Sequence, residues 1–89
     1  MSVTIEVSSV FGMYTNNRSS IEAEGNTVGE CLEDLFGQYP KMRNLIMDEK
    51  GKLRPRYNIF INGKNIYWDM TMPVNDGDKL NLLMLIYGG

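Results

Sequence analysis

Residues 27–39 read TVGECLEDLFGQY, with apolar residues at helical spacing. Thr27 and Glu30 have the spacing of a capping box, in which each side chain satisfies a backbone N–H near the start of a helix. The apolar stripe recurs every three to four residues and consists of Val28, Cys31, Leu32, Leu35, Phe36 and Tyr39. Pro40 is expected to end the helix, because proline has no N–H to donate. The stripe needs an apolar surface to pack against.

Two strands are predicted upstream of the helix. Val3, Ile5 and Val7 alternate with polar residues, the pattern of a strand buried on one face. Residues 20–24 alternate in the same way, and residues 12–19 are polar enough for a turn between them. The two strands should therefore form a hairpin.

Downstream, residues 57–61 predict a strand that turns at Asn62-Gly63, a residue pair favoured in type I′ hairpins. Residues 65–68 are expected to be the returning strand, and residues 45–47 a short helical turn. Residues 80–87 predict the last strand, which should lie well inside the sheet because it is apolar almost throughout.

This order of elements predicts an α+β fold, a β-grasp (ubiquitin-like) roll with a mixed sheet of four to five strands and one main helix packed on one face. No repeat or linker interrupts the sequence, so we expect residues 1–89 to form one domain.

The composition and net charge argue against several classes of function. The net charge of −2 gives no electrostatic case for nucleic acid or membrane partners. A single cysteine and an N-terminus without a basic or long apolar stretch favour the cytoplasm. The absence of histidine removes the commonest general base and metal ligand, so we expect neither an enzyme nor a metal site.

The last predicted strand has a second apolar face. If its even-numbered residues point to the core, Leu83, Leu85 and Tyr87 lie on the outer face, together with Phe60 of the neighbouring strand. An exposed apolar patch of this kind favours a protein partner. The alternatives are cover by a loop or self-association.

The chain ends in Gly88-Gly89, directly after this apolar run. A mobile terminus is one interpretation. The other is that the Gly89 carboxylate reacts, because a glycine tail is thin enough to thread a narrow active site. A free carboxylate needs activation before it can acylate anything, and the chain has no P-loop pattern for ATP. A separate enzyme would then do the catalysis.

Three features, in this order and spacing, resemble the ubiquitin-like sulfur carriers, a family that includes the small subunit of molybdopterin synthase and the thiamine sulfur carrier. They are residues 57–63 (YNIFING), the Asp76-Gly77-Asp78 turn and the terminal Gly88-Gly89. The likeness is strongest over residues 54–89.

The resemblance implies the following chemistry. An adenylating enzyme of the ubiquitin-activating type would use ATP and Mg²⁺ to form an acyl-adenylate at Gly89, and this chain itself would bind no cofactor. A sulfur donor would replace AMP to leave a thiocarboxylate. A sulfur-accepting synthase subunit would then receive the sulfur for molybdopterin, thiamine or another metabolite, with Gly88 helping the tail thread its active site.

Two other functions share these features. The tail could form isopeptide bonds as a protein modifier, or it could be idle in a non-covalent ubiquitin-like interaction module.

Four further features of the sequence each allow two interpretations. Cys31 is expected in the core rather than as a reactive thiol. Trp68 is either a packing residue or an interface anchor. Residues 48–56 are a solvated loop or a basic patch. Asp76 and Asp78 suit a turn better than a calcium site, because the EF-hand series is missing.

Overall fold

The structure is a computed structural model and describes residues 1–84. Five strands form one mixed sheet in the order β2-β1-β5-β3-β4, with β1 and β5 parallel and the other pairs antiparallel. The strands are β1 (Ser2–Val7), β2 (Ser20–Glu24), β3 (Tyr57–Ile61), β4 (Lys64–Asn65) and β5 (Lys79–Met84). The helices are α1 (Val28–Gln38) and α2 (Lys41–Ile46), with a 3₁₀ helix at Ser9–Tyr14. The predicted β-grasp roll is confirmed.

Strand β5 lies at the centre of the sheet because both of its edges are paired. Leu82 stands opposite Val7 of β1 and Ile59 of β3. Leu80 and Leu82 are each only 1% exposed and face the helical side with the core residues of their neighbours. The described part of the strand predicted at residues 80–87 is thus confirmed as internal, and residues 85–87 lie outside the described residues.

Helix α1 begins as its sequence predicts. The Thr27 hydroxyl accepts the Glu30 N–H (3.2 Å), and the Glu30 carboxylate accepts the Asn26 N–H (2.8 Å), one residue before the cap. The first-turn N–H groups of Val28 and Gly29 donate to the carbonyls of Met72 and Met70 (2.9 Å each). Such partners satisfy backbone groups that a helix start otherwise leaves unpaired. The segment after β4 is thereby fixed to the end of α1.

The core lies between the sheet and α1. The predicted stripe is buried except for Tyr39, which is partly exposed at the C-cap. The 3₁₀ helix adds Phe11 (4% exposed), whose ring centroid lies 6.0 Å from that of Tyr57. Helix α2 adds Met42 and Ile46, both fully buried.

The structure differs from the sequence predictions at three segments. Residues 12–19 are not simply a turn, because the 3₁₀ helix covers Ser9–Tyr14 and is capped at Ser8, whose hydroxyl accepts the Val10 N–H. The helical turn expected at residues 45–47 is present at Leu45 and Ile46, but it is the end of the longer helix α2, which starts directly after Pro40, where a fixed φ suits a helix start. The returning strand expected at residues 65–68 stops at Asn65.

The segment after β4 leaves the strand conformation but still covers the open edge of β3. The Ile66 N–H donates to the Ile59 carbonyl (3.1 Å), and the Trp68 indole N–H donates to the Tyr57 carbonyl (2.8 Å). Tyr67 and Trp68 then adopt left-handed backbone conformations, with φ of 51° and 63°. An unpaired strand edge invites pairing with other chains, so this cover protects the sheet.

We predict a large difference between two adjacent leucines of β5. Leu82→Ala should lower the free energy of unfolding by about 2–5 kcal/mol, because it leaves a cavity at a buried site. Leu83→Ala should lower it by less than about 1 kcal/mol, because Leu83 is 44% exposed. Urea unfolding followed by circular dichroism measures both. Equal losses would contradict the burial assigned to the two faces of β5.

A second prediction concerns Asp78, in the turn before β5, which is hydrogen-bonded to Asn62 at the end of β3. The Asp78 carboxylate accepts the Asn75 N–H (2.8 Å) and the Asn62 side-chain amide (2.9 Å), and these bonds hold the pKa of Asp78 below its ordinary value. A carboxyl whose pKa is lower in the folded state stabilises the fold above the unfolded-state pKa, and that stabilisation is lost as the pH falls through the folded-state pKa.

Asp78→Asn should therefore lower the urea midpoint at pH 7, and the gap from the parent chain should close as the pH falls below about 4. Glu49→Gln is the control for the loss of one charge, since the Glu49 carboxylate makes no hydrogen bond within residues 1–84. If the difference in urea midpoint between Asp78→Asn and the parent chain stays constant from pH 7 to pH 3, the ionised Asp78 carboxylate does not stabilise the fold.

Candidate functional site

The described part of the predicted partner-binding patch lies on the outer face of the sheet. Leu83 is 44% exposed, and Phe60 is half-buried on the same face. Leu83 stands opposite Asn58, and Phe60 stands opposite Asn81. The two apolar side chains are therefore diagonal neighbours, a spacing within reach of an aromatic ring. Leu85, Tyr87, Gly88 and Gly89 lie outside the described residues.

The outer face becomes polar towards β1. The Glu6 carboxylate pairs with the Lys79 ammonium (3.4 Å), and the Asn81 side-chain amide donates to the other Glu6 oxygen (3.4 Å). Exposed pairs of this kind contribute little stability. Their effect here is to bound the patch of Phe60 and Leu83 with hydrogen-bonded polar groups.

The end of β5 lies beside an exposed aromatic pair. Met84 is opposite Tyr57, whose carbonyl accepts the Trp68 indole N–H. Tyr67 is 78% exposed and Trp68 is 50% exposed. The sequence offered packing or interface anchoring for Trp68, and the structure gives it a structural hydrogen bond while leaving half of its surface accessible.

A groove of about 440 Å³ opens next to Trp68. This groove, called here the Trp68 groove, is lined by Gly51, Lys52, Leu53, Pro55, Trp68 and Met70. Sequence reasoning missed this groove, because it joins two loops that are distant along the chain. The signal that could have drawn attention to it was the Tyr67-Trp68 pair itself.

Residues 48–56 are more ordered than the solvated loop that the sequence favoured. The Asp48 carboxylate accepts the N–H groups of Lys52 (2.9 Å) and Lys50 (2.8 Å), and these bonds keep the pKa of Asp48 below its ordinary value. The Asp48 N–H donates to the Lys52 carbonyl (2.7 Å), and Gly51 takes a φ of 78°, which favours glycine. The result is a closed turn that displays Lys50 and Lys52.

Cys31 lies in the core, as predicted. Its side chain is fully buried on α1, and desolvation raises the pKa of its thiol. A buried thiol with a raised pKa is a poor nucleophile, because the thiolate is the reactive form. Cys31 therefore offers no site for a covalent sulfur or acyl intermediate in this fold.

Residues 1–84 contain no cluster of three or more acidic or thiol side chains placed to hold a metal ion. Neither α1 nor α2 is long and apolar enough to cross a membrane.

Comparison with known proteins gives one family and a set of full-length relatives. The profile of the ThiS family matches residues 9–89. The sulfur carrier protein CysO of Mycobacterium tuberculosis H37Rv is 28% identical, and the alignment covers all of both chains.

Two solved structures are similar over nearly the whole chain. The matched chain in the Amycolatopsis orientalis BexX/CysO complex superposes with a TM-score of 0.88 at 27% identity, covering 98% of this chain and 99% of that one. The protein SAMP1 of Haloferax volcanii has a TM-score of 0.87 at 21% identity, with both chains fully covered. At 21% identity, the similarity to SAMP1 shows a shared fold.

We predict that the Trp68 indole N–H is structurally required. Trp68→Phe should lower the free energy of unfolding by about 1–2 kcal/mol, because it leaves the Tyr57 carbonyl without this donor. Tyr67→Phe is the matched control and should change the value by less than about 0.5 kcal/mol, because it removes only an exposed hydroxyl. Equal urea midpoints for the two variants would contradict a stabilising role for the hydrogen bond from the Trp68 indole to the Tyr57 carbonyl.

Proposed function

The chain belongs to the ThiS family, and from that premise we propose that it is a sulfur carrier whose Gly89 carboxylate is the group on which sulfur is loaded. One observation carries the proposal: the family match runs through residue 89, the second of the two terminal glycines. Full-length alignment with a protein named as a sulfur carrier supports it.

The chemistry proposed at Gly89 has two steps. The carboxylate first attacks the α-phosphorus of ATP, and pyrophosphate leaves to give an acyl-adenylate. Sulfide supplied by the donor then attacks the acyl carbon and expels AMP, which leaves a thiocarboxylate with no change in the oxidation state of the sulfur. Adenylation is needed because a carboxylate has no good leaving group.

The catalytic groups are assigned to other proteins. This chain has no histidine and no P-loop pattern, and its single cysteine is buried. We propose that a ubiquitin-activating-type enzyme supplies ATP and Mg²⁺, that a sulfur donor supplies the sulfur, and that a synthase subunit accepts it for a biosynthetic intermediate. Because these are intracellular reactions, the cytoplasm is the proposed location.

The outer-face patch is the proposed docking surface for those enzymes. Leu83 and Phe60 are apolar and accessible on the face of β5 and β3. Leu85 and Tyr87 would extend the patch towards the tail if the alternation of β5 continues. Gly88 would let the tail pass through a narrow channel. The solved complex of a CysO protein with BexX supports assembly with a second protein.

A protein modifier is the second candidate. The Gly-Gly ending suits this function equally well. The likeness to SAMP1 from Haloferax volcanii, a small archaeal modifier protein, concerns the fold alone at 21% identity. The two functions share the acyl-adenylate and differ in the nucleophile that follows, sulfur in one and a lysine amine in the other.

The test is a reconstitution. The full chain is incubated with ubiquitin-activating-type enzymes of its own genome, ATP, Mg²⁺ and sulfide, and its intact mass is measured. We expect the mass to change by one exchange of sulfur for oxygen, located at Gly89 by fragmentation. The change should require ATP.

Two chains serve as controls, one lacking Gly88 and Gly89 and one extended by a single residue after Gly89. Both should remain unchanged in mass, since neither presents the Gly-Gly carboxylate. No sulfur gain in the parent chain with any of the enzymes would overturn the proposal. Acyl transfer to lysine in place of sulfur gain would establish the modifier function.

A further inference from the structure

We propose that the Trp68 groove binds an acidic, apolar-anchored segment of the adenylating enzyme that acts on the tail. The inference rests on the proposed function and adds a second docking surface to the outer-face patch. Three properties of the groove support the inference: its position, its charge and its rigidity.

The position follows from the register of the sheet. Strand β5 runs towards the end of the sheet at which Met84 lies opposite Tyr57. The Tyr57 carbonyl accepts a hydrogen bond from the Trp68 indole N–H. The described part of β5 therefore ends beside the Trp68 groove. An enzyme that binds the end of β5 at Met84 would contact the same end of the sheet.

The charge of the groove differs from that of the whole chain. Residues 48–56 hold four basic residues (Lys50, Lys52, Arg54 and Arg56) against two acidic ones, in a chain of net charge −2. Within residues 1–84, Arg54 donates to the Asn44 carbonyl, whereas Lys50, Lys52 and Arg56 make no ion pair. Lys52 lines the groove, and Lys50 and Arg56 are exposed on the same loop, so these three cations are available to a partner's carboxylates.

The far edge of the sheet has the opposite charge. Strand β2 exposes Glu22 and Glu24 and is separated from β3 by two strands. An acidic partner segment is attracted to the Trp68 groove and repelled from that edge. Such asymmetry gives an orientation to the encounter and raises its rate.

The groove also has the apolar surface that an anchor residue needs. Leu53, Pro55 and Met70 line it together with the accessible half of Trp68. Tryptophan is among the residues that contribute most to binding when an interface covers them. Two carboxylates around one apolar side chain would match this arrangement.

The groove is preorganised by strained backbone and by a closed turn. Left-handed backbone is unfavourable for a residue that has a Cβ atom. Tyr67 and Trp68 both adopt it, held by the Tyr67 N–H bond to the Asn65 side chain (2.8 Å) and by the Trp68 indole bond. On the other side, the Asp48 turn fixes Lys52. A rigid surface loses less entropy on binding.

The experiment is steady-state pyrophosphate exchange catalysed by the adenylating enzyme that loads the parent chain, with this chain as the varied substrate. The variant is Lys52→Glu/Arg56→Glu. Its KM should rise by about five- to twentyfold at low salt, with kcat within about twofold, and the difference should shrink as salt is added. Arg18→Glu/Lys64→Glu is the matched control, because it makes the same change in net charge away from the groove: Lys64 lies at the opposite end of β3, and Arg18 is exposed beside β2.

A spectroscopic probe of the groove accompanies the kinetics. Trp68 is the only tryptophan, so a chain labelled with 5-fluorotryptophan gives one ¹⁹F resonance. Titration with the same unlabelled enzyme should shift or broaden this resonance in the parent chain. The Lys52→Glu/Arg56→Glu variant should need a correspondingly higher enzyme concentration. The melting temperature of each variant is measured to confirm that it is folded.

The outcomes separate the two proposals. A raised KM together with a perturbed ¹⁹F resonance supports the docking site. Normal loading with an unchanged KM in the Lys52→Glu/Arg56→Glu variant, or an unperturbed resonance on saturation, overturns the docking site and leaves the carrier function standing. Failure of every enzyme to adenylate the parent chain overturns the carrier function and the docking site with it.

Discussion

The pairing of β5 on both edges is the constraint on which the rest of the structure depends. Leu82 packs in register with Val7 on one side and Ile59 on the other, so the strand is held in parallel and antiparallel ladders at once. Both flanking strands contribute buried residues to the same core under α1. The last strand of the described chain is therefore also the central strand of the sheet.

The described fold presents two accessible surfaces near the end of β5. One is the outer-face patch of Phe60 and Leu83, and the other is the Trp68 groove, beside a loop with exposed cations. Cys31, by contrast, is enclosed in the core on α1. On the proposed function, both surfaces would serve docking to the enzymes that act on Gly89.

The sequence predicted the parts of the fold that local rules decide. The capping box at Thr27, the helical stripe and the alternation in β1 and β2 each depend on residues close together along the chain. The Asn62-Gly63 turn belongs with them, since both residues adopt positive φ, as a type I′ turn requires. The placement of β5 at the centre followed from a sequence that is apolar almost throughout.

The sequence failed where distant segments decide the structure. The strand predicted at residues 65–68 stops at Asn65, because Ile66 and Trp68 bond to carbonyls of β3 in another geometry. The Trp68 groove could not be predicted, because the loop at residues 51–55 meets Trp68 and Met70 only in the folded chain. Of the predicted site, Leu83 and Phe60 were placed on the correct face by period-two alternation.

The most direct test of the carrier function is the mass of the chain isolated from its own cells under conditions that preserve thiocarboxylates, with and without alkylation of the sulfur. We predict that a fraction of the chain carries sulfur in place of one oxygen at Gly89 and that this fraction reacts with the alkylating reagent. A chain found only as the free carboxylate or as conjugates to lysine would contradict the account.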